Sequence, residues 1–486
     1  MQVPIKSITR GSNMNVSPLV HPIDQPYLMN GCSNTWKIGA ITKDTGYALV
    51  DVQMVNAKSV LGLFNFRQAP GTEKMLATLD NTGGTATQLF YKTSAGAWTE
   101  IAAAAAAWLT TANKVEMEAF LGYCFFVGYN GTAFLPVASL TGTTFSTVTN
   151  VTSMPQGKFI AKFAGQLYVA NCYTGATAYP FRVYNSSLPT AGAITWTPAT
   201  DFKDVDYSEE ITGMVEALGA LIVFTEYQTY FYDLSSWKAR WAQGCSSHRT
   251  IKKHKAYLLW CDFDGVQIST GGQPQMISGE IDALYKSGNP RNYFAEIVNE
   301  QYWLYMGNLT VGDTSYSNVM AVFDIGKSIW WIRELAQPMT SFARFNDAGK
   351  LRLYMGTANG QVMNKGQYTD ATLLKTDNGA DILGEFELAP FHLDSLDRFK
   401  KLNAIISFAD KPGGVQMMAR VIDSNSHVTT PYLPIGELKR YINTFDVDVE
   451  DGVIIQLKGT ESGHNEFWSF LGYSMDVELD SVIPKY

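Results

Sequence analysis

The sequence predicts an all-β protein: a degenerate six- or seven-bladed β-propeller followed by a C-terminal β-sandwich, with an extended N-terminal arm. Three observations predict it. From about residue 48 to 375, strand, Gly-containing turn and strand recur about every 35 to 55 residues, close to the period of a propeller blade. From 376 to 486 the strands lengthen and alternate cleanly. Residues 1–47 show neither pattern.

The arm comes first. Gly11-Ser12-Asn13, Ser17-Pro18, Asn30 and Lys37 to Tyr47 carry Gly, Asn and Pro but few periodic apolar residues. Such a segment is expected to be extended, to lie on something else, and to serve docking more than folding.

The propeller-like body follows. Leu121 to Val127 leads into Asn130-Gly131, and Gly165 to Asn171 has the same shape. Gly219 to Thr225 is followed by Thr229 to Asp233, and Lys255 to Trp260 by Asp264-Gly265 and Val266 to Ser269. Gln301 to Met306 and Lys350 to Met355 repeat the theme, the second followed by Asn359-Gly360. Asn-Gly and Asp-Gly supply the positive φ angles of tight hairpins. Radial repetition is one way for many hairpins to avoid long exposed edges. One stretch departs from the rhythm. Ala102 to Ala107 followed by Trp108 reads either as a short helix, since alanine is the best helix former, or as a neutral loop packed on a neighbour.

In the C-terminal part, Phe445, Val447 and Val449 alternate with Asp446, Asp448 and Glu450, and Met475, Val477 and Leu479 with Asp476, Glu478 and Asp480. Half-buried antiparallel strands read like this. With 402–408, 415–422 and 453–457, five strands in about 110 residues suit a small sandwich.

Composition narrows the function classes. The 486 residues carry 17% charged side chains, against a usual share of about 25%. Aromatics make up 13%. A neutral, aromatic-rich surface suits broad protein–protein contact, because interface cores are depleted in charge. The formal net charge of −8 argues against a dedicated nucleic-acid binder. It leaves room for a conduit along which DNA slides. The five cysteines, Cys32, Cys124, Cys172, Cys245 and Cys261, form no C-x-x-C pair and are expected to be free thiols of a protein made in a reducing cytoplasm. No apolar run approaches a membrane span, so no membrane insertion is expected.

Two clusters are candidate sites. His248, Arg249, Lys252, Lys253 and Lys255 form the one dense basic run. It could touch phosphate, but it lacks interleaved aromatics for base stacking. A solvated turn or a salt-bridge patch between subunits is the favoured reading. The acidic sets Asp446, Asp448, Glu450 and Asp476, Glu478, Asp480 could in principle bind calcium or act as an acid/base pair. They read better as solvated faces that protect sheet edges, and they are candidates to line a channel. No nucleophile elbow, phosphate loop or metal-ligand spacing is found. Neither a catalytic residue nor a cofactor is expected.

The layout resembles the tail hub, or nozzle, proteins of short-tailed bacteriophages, also called packaged-DNA stabilisation proteins. The resemblance rests on the arm (Gly11, Asn13, Ser17-Pro18, Asn30, Lys37-Ile38-Gly39-Ala40-Ile41 and Gly46-Tyr47), on the blade at 219–234, and on 256–285. In the last segment Gly265-Val266-Gln267-Ile268 and Gln275-Met276-Ile277-Ser278 are the most family-like parts. Thr45 stands where the family pattern has proline. The resemblance implies a homo-hexameric ring in the virion tail, assembled in the host cytoplasm below portal and adaptor proteins. That ring would retain packaged DNA, touch it transiently and non-specifically, guide its ejection, and anchor fibres or spikes. Two other classes stay open: a receptor-binding, fibre-like virion protein, and a propeller glycosidase.

Overall fold

A computed structural model describes residues 2–482 apart from short stretches, the longest being 16–20, 391–397, 423–430 and 462–466. Seven four-stranded antiparallel units follow one another in the chain. Their innermost strands are Ala57–Ala69, Lys114–Phe120, Gln156–Phe163, Gly213–Ala217, Lys252–His254, Phe294–Val298 and Met339–Asp347, defining blades 1 to 7 in that order. The inner strand of blade 7 packs on that of blade 1, so the ring closes. The fold is thus an all-β propeller of seven blades with a sandwich attached.

Central blade strands are apolar on both faces because both faces are buried. In Tyr257–Cys261, Leu258 and Trp260 pack towards blade 4, while Leu259 and Cys261 pack towards blade 6. In Ala220–Phe224, Leu221 and Val223 face blade 3, and Ile222 and Phe224 face blade 5. This period of two, with both sides covered, turns alternation into near-continuous hydrophobic runs. Each blade junction has its own apolar cluster. Val60 and Met75 meet Phe345 and Tyr354 at the closing one. Full burial of one such side chain is worth roughly 1.5–3 kcal/mol.

The fourth strand of blade 7 comes from the other end of the chain. Tyr47–Leu49 pairs with Val362–Lys365, with Met363 opposite Leu49 and Lys365 opposite Tyr47. Closing a ring with strands distant in sequence ties its seam through the backbone.

The sandwich contains two sheets. One has the order Cys32–Ser33, Ile41–Lys43, Ser469–Val482, Arg398–Lys411, Ile442–Gly452, with Gln2–Pro4 also on Ser469–Val482. The other runs Leu28–Asn30, Gly384–Glu387, Ile454–Glu461, Val415–Ile422, Leu433–Leu438. Leu28–Asn30 also pairs in parallel with Ile329–Glu334 of blade 6, fusing that sheet to the propeller. Ile405, Phe470 and Met475 from the first sheet meet Phe386, Met417 and Leu457 from the second.

The N-terminal segment therefore departs from expectation. Its described residues are built into both units and do not wait for a docking partner. Ile8, Met29, Cys32, Ile41 and Tyr47 are core residues. Gly11 lies so close to blade 6 that a Cβ would meet the Trp330 backbone nitrogen at 2.6 Å, and Ser12 N–H donates to the Trp330 carbonyl at 2.8 Å. Gly46 approaches Thr376 more closely still: a Cβ there would lie 1.9 Å from the Thr376 carbonyl oxygen. The Gly-Tyr turn is thus a packing requirement of the seam. The blade 7 sheet also extends past residue 375, because Asp377 pairs with Tyr47 and with Ala380.

Ala102–Ala107 forms the helix of the two readings. Ala104 is buried, and Trp108 seals the end, its indole N–H donating to the Pro136 carbonyl at 2.9 Å. The five cysteines are buried and unpaired with one another.

Candidate functional site: the propeller channel

The inner strands surround a central cavity of about 660 Å³. Inner strands are short of side-chain partners on their axial side, so polar residues gather there. The sign of the charge that each strand presents changes from blade to blade. Arg67 of blade 1 is followed by Glu116 and Glu118 of blade 2, then by Lys162 of blade 3 and Glu216 of blade 4. Lys252 and Lys253 of blade 5, Glu296 of blade 6 and Arg344 of blade 7 complete the circuit.

Adjacent strands pair across these junctions. Lys162 Nζ lies 3.0 Å from Glu118 Oε1, and Lys252 Nζ lies 3.6 Å from Glu296 Oε2. Lys253 makes an ion pair with Glu216. Burial pushes the Glu118 carboxyl above the usual range, and Lys162 opposes that.

The short 3₁₀ turn His248–Thr250 crosses the channel. His248 Nδ1 accepts the Met214 N–H of blade 4 at 3.3 Å, which leaves the ring proton on Nε2. Its ring packs on Phe159 of blade 3, with centroids 4.7 Å apart. Its Nε2 lies 3.7 Å from Glu116 of blade 2. Arg249 reaches the same carboxylate at 4.0 Å, donates to the Thr340 carbonyl of blade 7 at 3.0 Å, and lies over the Phe294 ring of blade 6. The turn between blades 4 and 5 therefore touches five blades, counting those two residues alone. Burial lowers the His248 pKa below the ordinary imidazole value, which Glu116 opposes, and the ring stays neutral near pH 7.

The basic run is thus brought together around the channel and pairs with carboxylates of its own chain. His248 and Arg249 lie across the channel, and Lys252 and Lys253 line its wall. Lys255, on the following hairpin turn, pairs with Glu300 of its own chain. The physical reason is that the run spans the end of one blade and the inner strand of the next, where axial side chains find carboxylates across the channel. Sequence reading had no view of those partners, which lie on three other blades. The recurring signal was one or two charged residues of a single sign facing the channel from each inner strand.

The six acidic candidates belong to the sandwich. Asp446 and Asp476 are both in register with Ala404, on the strands either side of it, and Glu478 is in register with Lys401. Asp448, Glu450 and Asp480 follow on the same two strands. The side chains of all six lie outside the described residues. Among the described residues, no group of three or more His, Cys, Asp or Glu is placed to hold a metal ion. No helix among them is long and apolar enough to cross a membrane.

A second feature is buried where arm, propeller and sandwich meet. Arg333 Nη1 donates to Asp44 Oδ2 at 2.8 Å and also to the Thr45 carbonyl, while Nη2 donates to Asp377. Lys365 Nζ lies 3.1 Å from Asp44 Oδ1 and donates to Thr45. Lys43 and Glu461 form a separate buried ion pair, and Trp468 Nε1 donates to the same Glu461 oxygen at 3.3 Å. These charges hold the arm in place.

A third feature is at the surface. The 11-residue strand Ile442–Gly452 is the last of its sheet, and among the described residues one of its edges has no strand partner. At its start Tyr441 and Ile442 are 67% and 60% exposed, and Phe408, in register with Ile442, is 37% exposed.

No family model and no curated protein matches the sequence. Among solved structures, the CNH domain of AfRom2 is similar at 8% identity and TM-score 0.41, covering 66% of this chain and 99% of that one. The exo-β-1,3-galactanase of Phanerochaete chrysosporium, solved with β-1,3-galactotriose, is similar at 7% identity and TM-score 0.26, covering 90% of this chain and 100% of that one.

Proposed function

We propose that this protein is a structural subunit of a phage tail hub, assembling into a closed ring, six-fold by its resemblance to nozzle proteins. In this reading the ring extends the portal–adaptor channel, retains packaged DNA, guides its ejection and carries fibres or spikes. The observation that carries the assembly step is the free edge strand Ile442–Gly452 with Phe408, Tyr441 and Ile442 exposed beside it. A long edge with apolar side chains is a template for another chain unless something covers it. Repeated heterologous contacts around a cyclic axis cover such a surface in every subunit at once.

Two further features support a structural role. The arm, propeller and sandwich share strands and buried charges, which suits a part that must bear load as one body. Each of the four carboxylates in the channel has a cationic neighbour within 4.0 Å. A glycosidase needs one carboxyl free to protonate and another free to attack, and this pairing favours a binding or structural use of the channel. DNA would run along the axis between subunits, because His248 and Arg249 lie across the axis of each propeller. Phosphate contacts multiply affinity and its salt dependence, so an acidic protein suits a path that must release its DNA.

Electron microscopy and mass photometry of the protein, alone and with its portal–adaptor complex, test the reading. Six-fold rings are expected. A monomer in both settings would overturn it.

A further inference from the structure

A second cavity, of about 200 Å³, lies where blades 6 and 7 meet the N-terminal segment. It shares no wall residue with the central channel. Trp303 and Trp331 form its buried side, with ring centroids 6.5 Å apart and planes at 80°. Trp36 and Tyr368 also belong to the wall and stack on each other at 4.9 Å and 16°, with Trp36 53% exposed. The indole N–H groups of Trp303 and Trp331 are buried without an acceptor among the described residues. Trp108, Trp260 and Trp330, also buried, each donate to a carbonyl, of Pro136, Gly244 and Ile277 in turn. Trp237 shares the lack but lines neither cavity. A buried donor left without a partner is costly and rare, so two of them in one cavity wall call for an acceptor.

The charged groups of the wall narrow the chemistry of that acceptor. They are Asp44, Asp324 and Lys365. Lys365 Nζ lies 3.1 Å from Asp44 Oδ1 and 5.5 Å from the centre of the Trp303 ring, so a cation already holds the place over that indole. A second cation would meet Lys365, and an anion would meet two carboxylates. A neutral molecule with several hydroxyls meets neither obstacle. The side-chain amides of Asn299 and Gln301, also in the wall, have no hydrogen bond among the described residues, and each offers donors and an acceptor. Asn299 and Glu300 form a turn at positive φ, 52° and 64°, where the matching turns of blades 2, 3 and 4 have Gly122, Gly165 and Gly219 in second place. Holding a glutamate there costs energy, and such strain gathers at ligand sites.

We propose that this cavity binds one ring of a neutral carbohydrate. Its hydroxyls would accept from Trp303 and Trp331 and bond the amides of Asn299 and Gln301, while the apolar face of the ring lies against an indole. Pockets for drug-sized ligands measure about 300–1,000 Å³, so this smaller one suits a single ring. The exposed Trp36 beside it would carry the next unit of a longer chain. A free monosaccharide and the end of a glycan present the same chemistry here. The site lies within one subunit, so it does not depend on assembly.

The test is saturation-transfer NMR of the full chain with two pairs of probes: D-glucose and maltotriose, N-acetyl-D-glucosamine and chitotriose. Binding of at least one sugar with a Kd of about 1 mM is expected for a ligand of this size. A trisaccharide that binds about tenfold more tightly than its monosaccharide identifies a glycan as the ligand, and equal affinities identify a free sugar. Trp303→Phe, which keeps a ring and removes the N–H, should weaken binding about fivefold. Gln301→Ala removes an amide that bonds nothing in the fold, so it should weaken binding to a similar degree at an unchanged melting temperature. It carries the comparison if Trp303→Phe melts lower. Tetramethylammonium chloride and inorganic phosphate serve as charged probes. Binding of either in place of the sugars, no binding of any sugar, or sugar binding that neither variant weakens would overturn the proposal.

Discussion

Arg333 and Asp44 lie 2.8 Å apart although 289 residues separate them in the chain. Arg333 is fully buried and Asp44 nearly so. The pair joins the last strand of blade 6 to the end of the N-terminal segment, and Asp377 on the far side of Arg333 extends it to the added strands of the blade 7 sheet. Arg333 and Lys365 hold the Asp44 carboxyl below the usual range, against the cost of its burial. Asp44→Asn should therefore destabilise the protein by about 3 kcal/mol, because breaking a buried pair strands the remaining charges. Denaturant unfolding of the variant measures this. A change below about 1 kcal/mol would mean that water or rearrangement replaces the carboxylate.

Removing residues 1–49 should be far more damaging than trimming a tail. It deletes the fourth strand of blade 7, the strand that joins the second sandwich sheet to blade 6, and the core residues Met29, Cys32 and Ile41. Insoluble or molten protein is expected, with near-ultraviolet circular dichroism lost. A truncated chain that melts as the full one does would show that the arm is dispensable for folding.

Gly46→Ala is a sharper probe of the same seam. The added methyl would meet the Thr376 carbonyl oxygen at 1.9 Å, so backbone must move. A loss of roughly 1–3 kcal/mol is expected, as for overpacking elsewhere. Thr45→Ala is a useful contrast: it removes the hydroxyl that donates to the Gly366 carbonyl at 2.7 Å and should cost about 1 kcal/mol.

Much of this architecture was legible in the sequence, and the missing parts share one cause. Blades show themselves through local pairing: residues a few positions apart across turns such as Leu218-Gly219, both at positive φ. The contacts that tie the arm to the propeller and sandwich reach residues 250 or more positions away, and its strands are two or three residues long. No periodicity can register in a strand that short, so Met29 and Cys32 looked like loop residues. Channel partners were hidden in the same way. Lys162 and Glu118 belong to different blades, and Arg249 and Glu116 face each other across the axis. The Gly-Tyr turn was visible as a motif, but its reason, the approach of Thr376, lies 330 residues downstream.

Lys365 provides a prediction in pH. Burial lowers its pKa from 10.5 to about 8, with Arg333 adding repulsion and Asp44 opposing both. A depressed folded-state pKa means that the unfolded chain binds more protons between about pH 8 and 10.5. Stability from this group therefore rises with pH across that window, and the contribution is lost as pH falls through about 8. The difference in unfolding free energy between wild type and Lys365→Met should shift in favour of wild type from pH 8 to 10 by at most about 3 kcal/mol. Comparing the two proteins cancels the titration of other lysines and tyrosines. A difference that stays flat over this range would place the Lys365 pKa near its ordinary value.

The surface edge yields the prediction that most directly concerns assembly. Tyr441 and Ile442 protrude at the start of an 11-residue strand whose outer edge has no strand partner among the described residues. Neither side chain supports the sandwich core, whereas Phe445, three residues on, does. Tyr441→Asp with Ile442→Asp should therefore leave the melting temperature within a few degrees of wild type, as surface changes do. The same pair of substitutions places two charges where an interface core excludes them. Rings should disappear from electron micrographs, or form only at higher concentration, while the monomer keeps its circular dichroism. If rings form as before, the edge is not the contact between subunits, and the assembly surface must be sought on the blades. If the monomer itself unfolds, Tyr441 and Ile442 belong to the core.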